Sequence, residues 1–344
     1  MDDSLAAPLA RYLADLLGSE GGVTIESARR IHGGASRETY SFDAVFLSGG
    51  APQRRGLILR RDPVDTLIDT ERALEFAAYQ SVGAAGIPVP RAVALVTDPS
   101  VLGRAFFIME RIDGGAASSP FAKDAYAPHA EAIGLAFFAC LGRIARLDPA
   151  ETPLARSVDV PSLQTCWSRE LDHWEKVIDT DALEPQPVAR AAIRALRKRP
   201  PPPPSRLALV HGDYRSGNFL HDGAGRILGI LDWEMAHIGD PLEDLAWSMD
   251  PMWCNGRPDL AAGLLPRDQA LRLWEEESGR AVDREALAWW ELFAHLKGLA
   301  IWISAARAFA DGKNIDPVLA FSGWYCQVEH NRLIAARLAA AAGA

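Results

Sequence analysis

No run of apolar residues in the chain is long enough to cross a bilayer. The longest, Ala132 to Gly142, is bounded by Glu131 and Arg143 and falls short of the about 20 residues that a membrane helix needs. Cysteine is scarce as well. The 4 present, Cys140, Cys166, Cys254 and Cys326, have neither the paired spacing of a metal site nor the density of a disulfide scaffold, so reduced core thiols and a cytoplasmic location are expected. A basic stripe is also missing. With 36 Lys and Arg against 45 Asp and Glu, the net charge is −9, which disfavours nucleic acid and anionic membrane as partners and leaves cationic substrates admissible. The N-terminus is acidic, Met1-Asp2-Asp3, where a secretory signal would be basic, and Leu5, Leu9, Leu13 and Leu16 recur at helical spacing. A docked helix is predicted there, not a leader.

A chain of 344 residues, 49% hydrophobic, can bury a core large enough for two lobes. The stretch that carries most chemistry is His211-Gly212-Asp213-Tyr214-Arg215-Ser216-Gly217-Asn218, followed by Ile230-Leu231-Asp232-Trp233-Glu234. Asp213 and Asn218 have the spacing of the catalytic Asp and metal-binding Asn in the protein-kinase catalytic loop. Phe219–His221 and Arg226–Leu231 read as short strands around the turn-forming Asp222-Gly223-Ala224-Gly225. A tight hairpin would return Asp232 beside Asn218. Phosphoryl transfer needs an oriented hydroxyl and neutralised phosphate charge; Asp213 would accept the hydroxyl proton, and oxygen ligands from Asn218 and Asp232 suit magnesium. Each residue alone also reads as a strand end, a turn residue or a surface carboxylate. Their order and spacing, with Gly239-Asp240-Pro241-Leu242-Glu243-Asp244-Leu245-Ala246 just beyond, favour the catalytic reading.

On these residues the chain resembles the aminoglycoside phosphotransferase and choline kinase superfamily. Val101–Glu110 and His237–Pro241 bring it nearest to the kinase-like domain linked to some acyl-CoA dehydrogenases. The resemblance implies an α+β, two-lobed protein-kinase-like fold, with a small β-rich N-lobe and a larger, mainly helical C-lobe. The expected division is 1–112 for the nucleotide-binding lobe with its leading helix and hinge, and 113–344 for the catalytic and acceptor-binding lobe. ATP or GTP and Mg would be the cofactors, and a small-molecule hydroxyl the acceptor. A monomer or homodimer is admissible.

The resemblance also assigns roles in the N-lobe. Gly33, Gly34 and Ser36 lie between two expected strands, Ile25–Ile31 and Thr39–Phe46, where they read either as a plain turn or as a loop over nucleotide phosphates. A third strand, Gly56–Arg60, ends in Arg60, where most kinases carry a lysine that contacts the phosphates and pairs with a helix carboxylate. Arginine keeps the charge but changes the geometry; a solvated strand end is the other reading. Distance to Ile87-Pro88-Val89-Pro90 selects Glu75 as its partner within a helical segment Asp65–Ala85, with Glu71 one turn away. Met109 would lie behind the adenine, and the backbones of Glu110 and Ile112 would meet its edge; Met109 reads equally as core filling.

From about Ala127 the chain turns helical. Pro200–Pro204 cannot be helix and reads as a stiff connector. Asp240 and Asp244 are expected to cap, or to accept backbone hydrogen bonds from the catalytic loop, and Glu234 faces either solvent or water-bridged magnesium. Tryptophans beyond Trp247 read as packing residues, although an aromatic cage for a quaternary ammonium has the same composition. Lys297 or Arg307 would suit an acidic acceptor. The expected activity is O-phosphorylation of a small molecule: a hydroxy acid or hydroxyacyl-CoA first, then choline-like alcohols or aminoglycosides. A silent nucleotide-binding regulator is the alternative of another class.

Overall fold

The computed structural model describes residues 1, 3–31, 38–61, 72–119, 121–313 and 315–342. The chain divides into two compact units, Met1–Gly115 with Leu228–Glu234, and Ala116–Ile227 with Met235–Ala344. The architecture is a two-lobed α+β fold, β-rich in the first unit and mostly helical in the second.

The first unit holds α1 (Asp3–Leu17), β1 (Val23–Ile31), β2 (Glu38–Ser48), β3 (Ala51–Arg61), α2 (Arg72–Ala84), β4 (Ala92–Val96) and β5 (Phe106–Glu110). The strands form an antiparallel sheet in the order β1-β2-β3-β5-β4. Leu5, Leu9 and Leu13 of α1 are buried with Phe42, Leu57, Leu59, Phe106 and Ile108, so the leucine periodicity does mark a docked helix. Leu16 ends that stripe and is partly exposed. Strand β3 begins earlier than Gly56 because Ser48 pairs with Ala51 across Gly49-Gly50. Both glycines have positive φ, which a two-residue hairpin of this twist requires. That hairpin fixes the register that sets Arg60 opposite Thr39 and Phe107.

The second unit contains α3 (Ala130–Arg146), α4 (Cys166–Asp181), α5 (Pro187–Lys198), β6 (Ala208–Val210), β7 (Phe219–His221), the start of β8 (Ile227–Ile230), β9 (His237–Gly239), α6 (Leu242–Ser248), α7 (Arg267–Ser278), α8 (Arg284–Ala310) and α9 (Pro317–Ala342). The apolar run Ala132–Gly142 is the body of α3. Pro200–Pro204 is non-helical and feeds β6, which pairs antiparallel with β9 at Leu209 and Ile238. Helix α8 packs against α4, α5, α6 and α9, so Trp289, Trp290, Phe293, Leu296 and Lys297 are all buried. Neighbours therefore enclose this helix on several sides. All 4 cysteines are free, and Cys254 alone is not fully buried. No described helix is long and apolar enough to cross a membrane.

Candidate active site

In the second unit the residues of the catalytic-loop motif converge on Asp213. Its Oδ1 accepts from Trp247 Nε1 at 2.8 Å and from Arg215 Nε at 3.1 Å, and its Oδ2 accepts from Asn218 Nδ2 at 2.6 Å. Asn218 Nδ2 also donates to the Asp213 carbonyl at 2.9 Å. Since both partners only accept, the nitrogen of the Asn218 amide must face them, which assigns the remaining Oδ1 as an oxygen donor. The loop is braced from beneath. Asp244 Oδ2 and Oδ1 accept from the backbone amides of His211 and Gly212 at 2.6 and 2.9 Å, and His211 Nδ1 accepts from Asp213 N at 3.0 Å. Gly212 has φ +81°, and a Cβ there would lie 2.4 Å from the Met235 carbonyl oxygen, so no other residue fits. Asp240 turns to its own helix, accepting from Leu242 N, and to Trp290 Nε1. Of the two aspartates expected to support the loop, Asp244 is the one that touches it.

Beneath Gly212 lies a buried charged chain. Lys297 Nζ donates to the Gly212 carbonyl and, at 2.8 Å, to Glu243 Oε1. Glu243 Oε2 meets His237 Nε2 at 3.1 Å, and Glu170 lies 3.7 Å from the same nitrogen. Burial opposes the charge on His237, but the carboxylates of Glu170 and Glu243 outweigh it and raise its pKa to about 9. Burial likewise pushes Glu243 up, while Lys297 and His237 pull it down to about 2. For Asp244, burial and the nearby Glu243 prevail over the His211 amide, raising it to about 6. Asp240 is also raised to about 6, by burial against the amide of Leu242. Glu170, His237 and Glu243 have the proximity of a metal triad; a protonated His237 and the Lys297 ammonium on Glu243 already supply its positive charge.

Lys297 is therefore not a receptor for an acidic acceptor. Arg307 is committed too, donating to the carbonyls of Asp181 and Ala182 and lying 3.7 Å from Asp311. The expectation fails for Lys297, which is buried; the contacts of Arg307 are long and its side chain is about a third exposed. The tryptophans beyond Trp247 are mostly buried packing residues, as read, but Trp324 is 68% exposed.

In the first unit Arg60, 8% exposed, is the centre of a second cluster. Its Nη1 lies 3.1 Å from Glu75 Oε1 and 3.0 Å from Asp232 Oδ1, and Nη2 is 3.8 Å from Glu234. Arg72 Nη1 is 3.9 Å from the other oxygen of Glu75. Burial opposes the Arg60 charge, but Asp232 and its neighbours keep the pKa raised. Arg61, one position on, faces the other side of β3 and pairs with Glu38 at 3.2 Å. The segment bearing Asp232 is stapled to this unit: Ile230 N donates to Pro88 O, Asp232 N donates to Tyr79 Oη, and Trp233 packs on Tyr79. Asp232 itself has φ +62°, a left-handed conformation that Asp tolerates better than most residues. Met109 is buried, paired with Ile58 and Ala92. Glu110 N donates to Arg91 O, and Ile112 lies against Gly229. Gly33, Gly34, Ser36 and the fallback Glu71 lie outside the described residues.

The oxygen atoms available from Asn218 and from the half-exposed Asp232 carboxylate are the donor type that a hard divalent cation takes. Trp247, Arg215, Tyr79 and the Lys297–Glu243–His237 chain were not singled out by sequence for these roles. Only the position of Trp247 in the helix after Asp244 hints at its contact.

The phosphotransferase enzyme family (APH) matches residues 27–308. Acyl-CoA dehydrogenase family member 10 of Mus musculus is 31% identical over 244 residues, covering 70% of this chain and 22% of that protein. The chain spans about a fifth to a third of the length of such curated relatives. Among solved structures, a Ralstonia eutropha protein described as an aminoglycoside phosphotransferase superposes with TM-score 0.73 at 20% identity, over 94% of this chain and 95% of that one. A Plasmodium vivax ethanolamine kinase superposes with TM-score 0.58 at 14% identity, over 92% and 83%. These likenesses share the fold, and the family match covers most of the sequence. The chain belongs to the phosphotransferase enzyme family.

Proposed function

We propose that this protein is an ATP- or GTP-dependent, magnesium-requiring O-phosphotransferase acting on a small-molecule hydroxyl. The observation that carries the reading is the Asp213 cluster. A carboxylate has about four lone-pair sites; Trp247, Arg215 and Asn218 occupy three, which leaves room for one more donor, the acceptor hydroxyl. In this role Asp213 orients that hydroxyl and takes its proton as the bond to phosphorus forms. Asn218 Oδ1 and Asp232 would hold magnesium, which neutralises phosphate charge when bound. Arg60, positioned by Glu75, would contact the nucleotide phosphates. Gly33, Gly34 and Ser36 would cover the phosphates, while Met109, Glu110 and Ile112 would flank the base, within a nucleotide-binding lobe of 1–112 and an acceptor lobe of 113–344.

For the acceptor, amino alcohols and aminoglycosides have better support than a hydroxy acid or hydroxyacyl-CoA. Lys297 and Arg307 are engaged in internal contacts, the net charge of −9 favours cationic partners, and the solved relatives named above include an ethanolamine kinase and a protein described as an aminoglycoside phosphotransferase. The test is acceptor-dependent ADP or GDP release across a panel of amino alcohols, aminoglycosides, hydroxy acids and hydroxyacyl thioesters. Release with an amino alcohol or aminoglycoside is expected. Release only with the acids would reverse the acceptor assignment, and none with any acceptor, despite nucleotide binding, would favour the silent regulator.

A further inference from the structure

Helix α9 carries an apolar seam that nothing in the phosphotransfer site uses. Val318, Phe321, Tyr325 and Val328 recur at intervals of three, four and three, the spacing by which one helix packs against another. These residues, with Ile315 and Trp324, are all exposed, from 48% at Tyr325 to 80% at Ile315. The opposite side of α9 is already occupied: Ser322, Cys326, His330 and Ile334 are buried, and a Cβ at Gly323 would come within 2.9 Å of Ala306 on α8. The helix therefore has one packed face and one bare face. Phe321 and Tyr325 stack within the bare face, ring centroids 5.5 Å apart and 8° from parallel.

We propose that this seam is the interface of a two-fold homodimer, with α9 of one copy packed antiparallel on α9 of a second. Three large aromatic rings, each about half to two-thirds exposed, together with three aliphatic side chains, offer roughly 600 Å² of apolar surface. That reaches the upper limit of the largest patch on a typical monomer, about 300–600 Å², and approaches the about 800 Å² per partner of a standard interface. The seam is also self-complementary. Asp316, which accepts from Val318 N, lies at its start, and Arg332, which pairs with Glu329 of its own helix, lies just beyond its end, so antiparallel pairing sets the acidic start of each copy near the Arg332–Glu329 pair of the other. Parallel pairing would bring like charges together. Two-fold symmetry in the antiparallel sense lays the Phe321–Tyr325 pair of one copy on the same pair of the other, an isologous contact.

Sedimentation velocity over a concentration series tests this on the full chain. The wild type should sediment as a dimer that dissociates on dilution, with Trp324 fluorescence shifting to longer wavelength as it does. Phe321→Glu and Tyr325→Glu should each weaken association by about tenfold or more, with an unchanged circular-dichroism melt because the side chains are exposed. Phe321→Ser serves if the charged variant melts early, and Val160→Glu, at another exposed site, should leave the dimer intact. A wild type that stays monomeric throughout, as it would if another segment or a different protein covers the seam, overturns the proposal. So does a dimer indifferent to the α9 substitutions.

Discussion

Asp213 is held by three donors from three different kinds of side chain, and the consequence is that its rotamer is fixed. Replacing it with Asn keeps the size of the side chain but removes the group that takes a proton, and it sets an amide N–H where Oδ2 accepts from Asn218. Asp213→Asn should retain nucleotide affinity and lose about 10²–10⁴-fold in acceptor-dependent kcat; an unchanged rate would remove Asp213 from its catalytic role. At Arg60 the neighbouring residue supplies the control. Arg60 faces Glu75 and Asp232, whereas Arg61 faces Glu38, because consecutive strand residues point to opposite sides. Arg60→Ala is therefore expected to raise the KM for nucleotide and lower kcat/KM by at least about tenfold, with Arg61→Ala near wild type. Equal losses would place both cations outside the phosphate site.

The Asp213 cluster was partly legible in the sequence because Asp213 and Asn218 lie close together in the chain, and the structure does bring them into contact; Asp232 meets Arg60 in the first unit. Glu75 could be selected by its distance from Ile87–Pro90, and the structure does bring it to Arg60. Trp247 and Lys297 were not legible in the same way. Each reaches the loop across a long sequence separation, and no local pattern tells a buried lysine that holds a carbonyl from one that awaits a ligand. Assigning Lys297 to an acidic acceptor failed on that ambiguity.

At the scale of elements, α8 shows what an enclosed helix must do with a charge. Lys297 is 1% exposed and tolerable because Glu243 and the Gly212 carbonyl accept its hydrogen bonds and the rings of Trp174 and Trp247 face its ammonium. Lys297→Met should destabilise the protein by about 3 kcal/mol, the low end of the range for breaking a buried pair, since Glu243 keeps His237 as a partner while the Gly212 carbonyl loses its Lys297 donor. Adding Glu243→Gln should restore part of that loss, measured by chemical denaturation; a strictly additive double variant would show that the two do not act as a pair. The β2–β3 hairpin at Gly49-Gly50 was missed, with β3 expected to begin only at Gly56, although its signal is local; the α8 packing has no local signal. A two-residue turn needs only its own backbone angles, whereas the face a helix buries depends on how many neighbours surround it.

For the whole molecule, the ionisable groups set a pH window. The pKa of His237 is raised in the folded state, so its contribution is fully present below the ordinary value of about 6.5 and is lost as pH rises through about 9. Asp240 and Asp244, raised to about 6, likewise favour the fold below the usual carboxylate range, and that advantage is gone above about 6. Between about pH 6.5 and 9, then, His237 is the group to watch. The stability difference between wild type and His237→Gln should be of order 3 kcal/mol at the lower pH and should shrink steadily toward the upper. A difference that does not vary with pH would mean that His237 is neutral in the fold.

The short segment Leu228–Glu234 belongs to the first unit although the chain reaches it only after most of the second unit's strands and helices α3–α5 have been made. On a ribosome, which releases the chain from its N-terminus onward, the first unit cannot finish when its own 115 residues emerge. Until residue 234 is out, Pro88 O lacks the Ile230 amide, Tyr79 lacks Trp233, and Arg60 lacks Asp232. The charged centre of the first unit is thus closed by a late-arriving piece of chain, and a nascent fragment cut before that point carries the arginine without the aspartate that completes it.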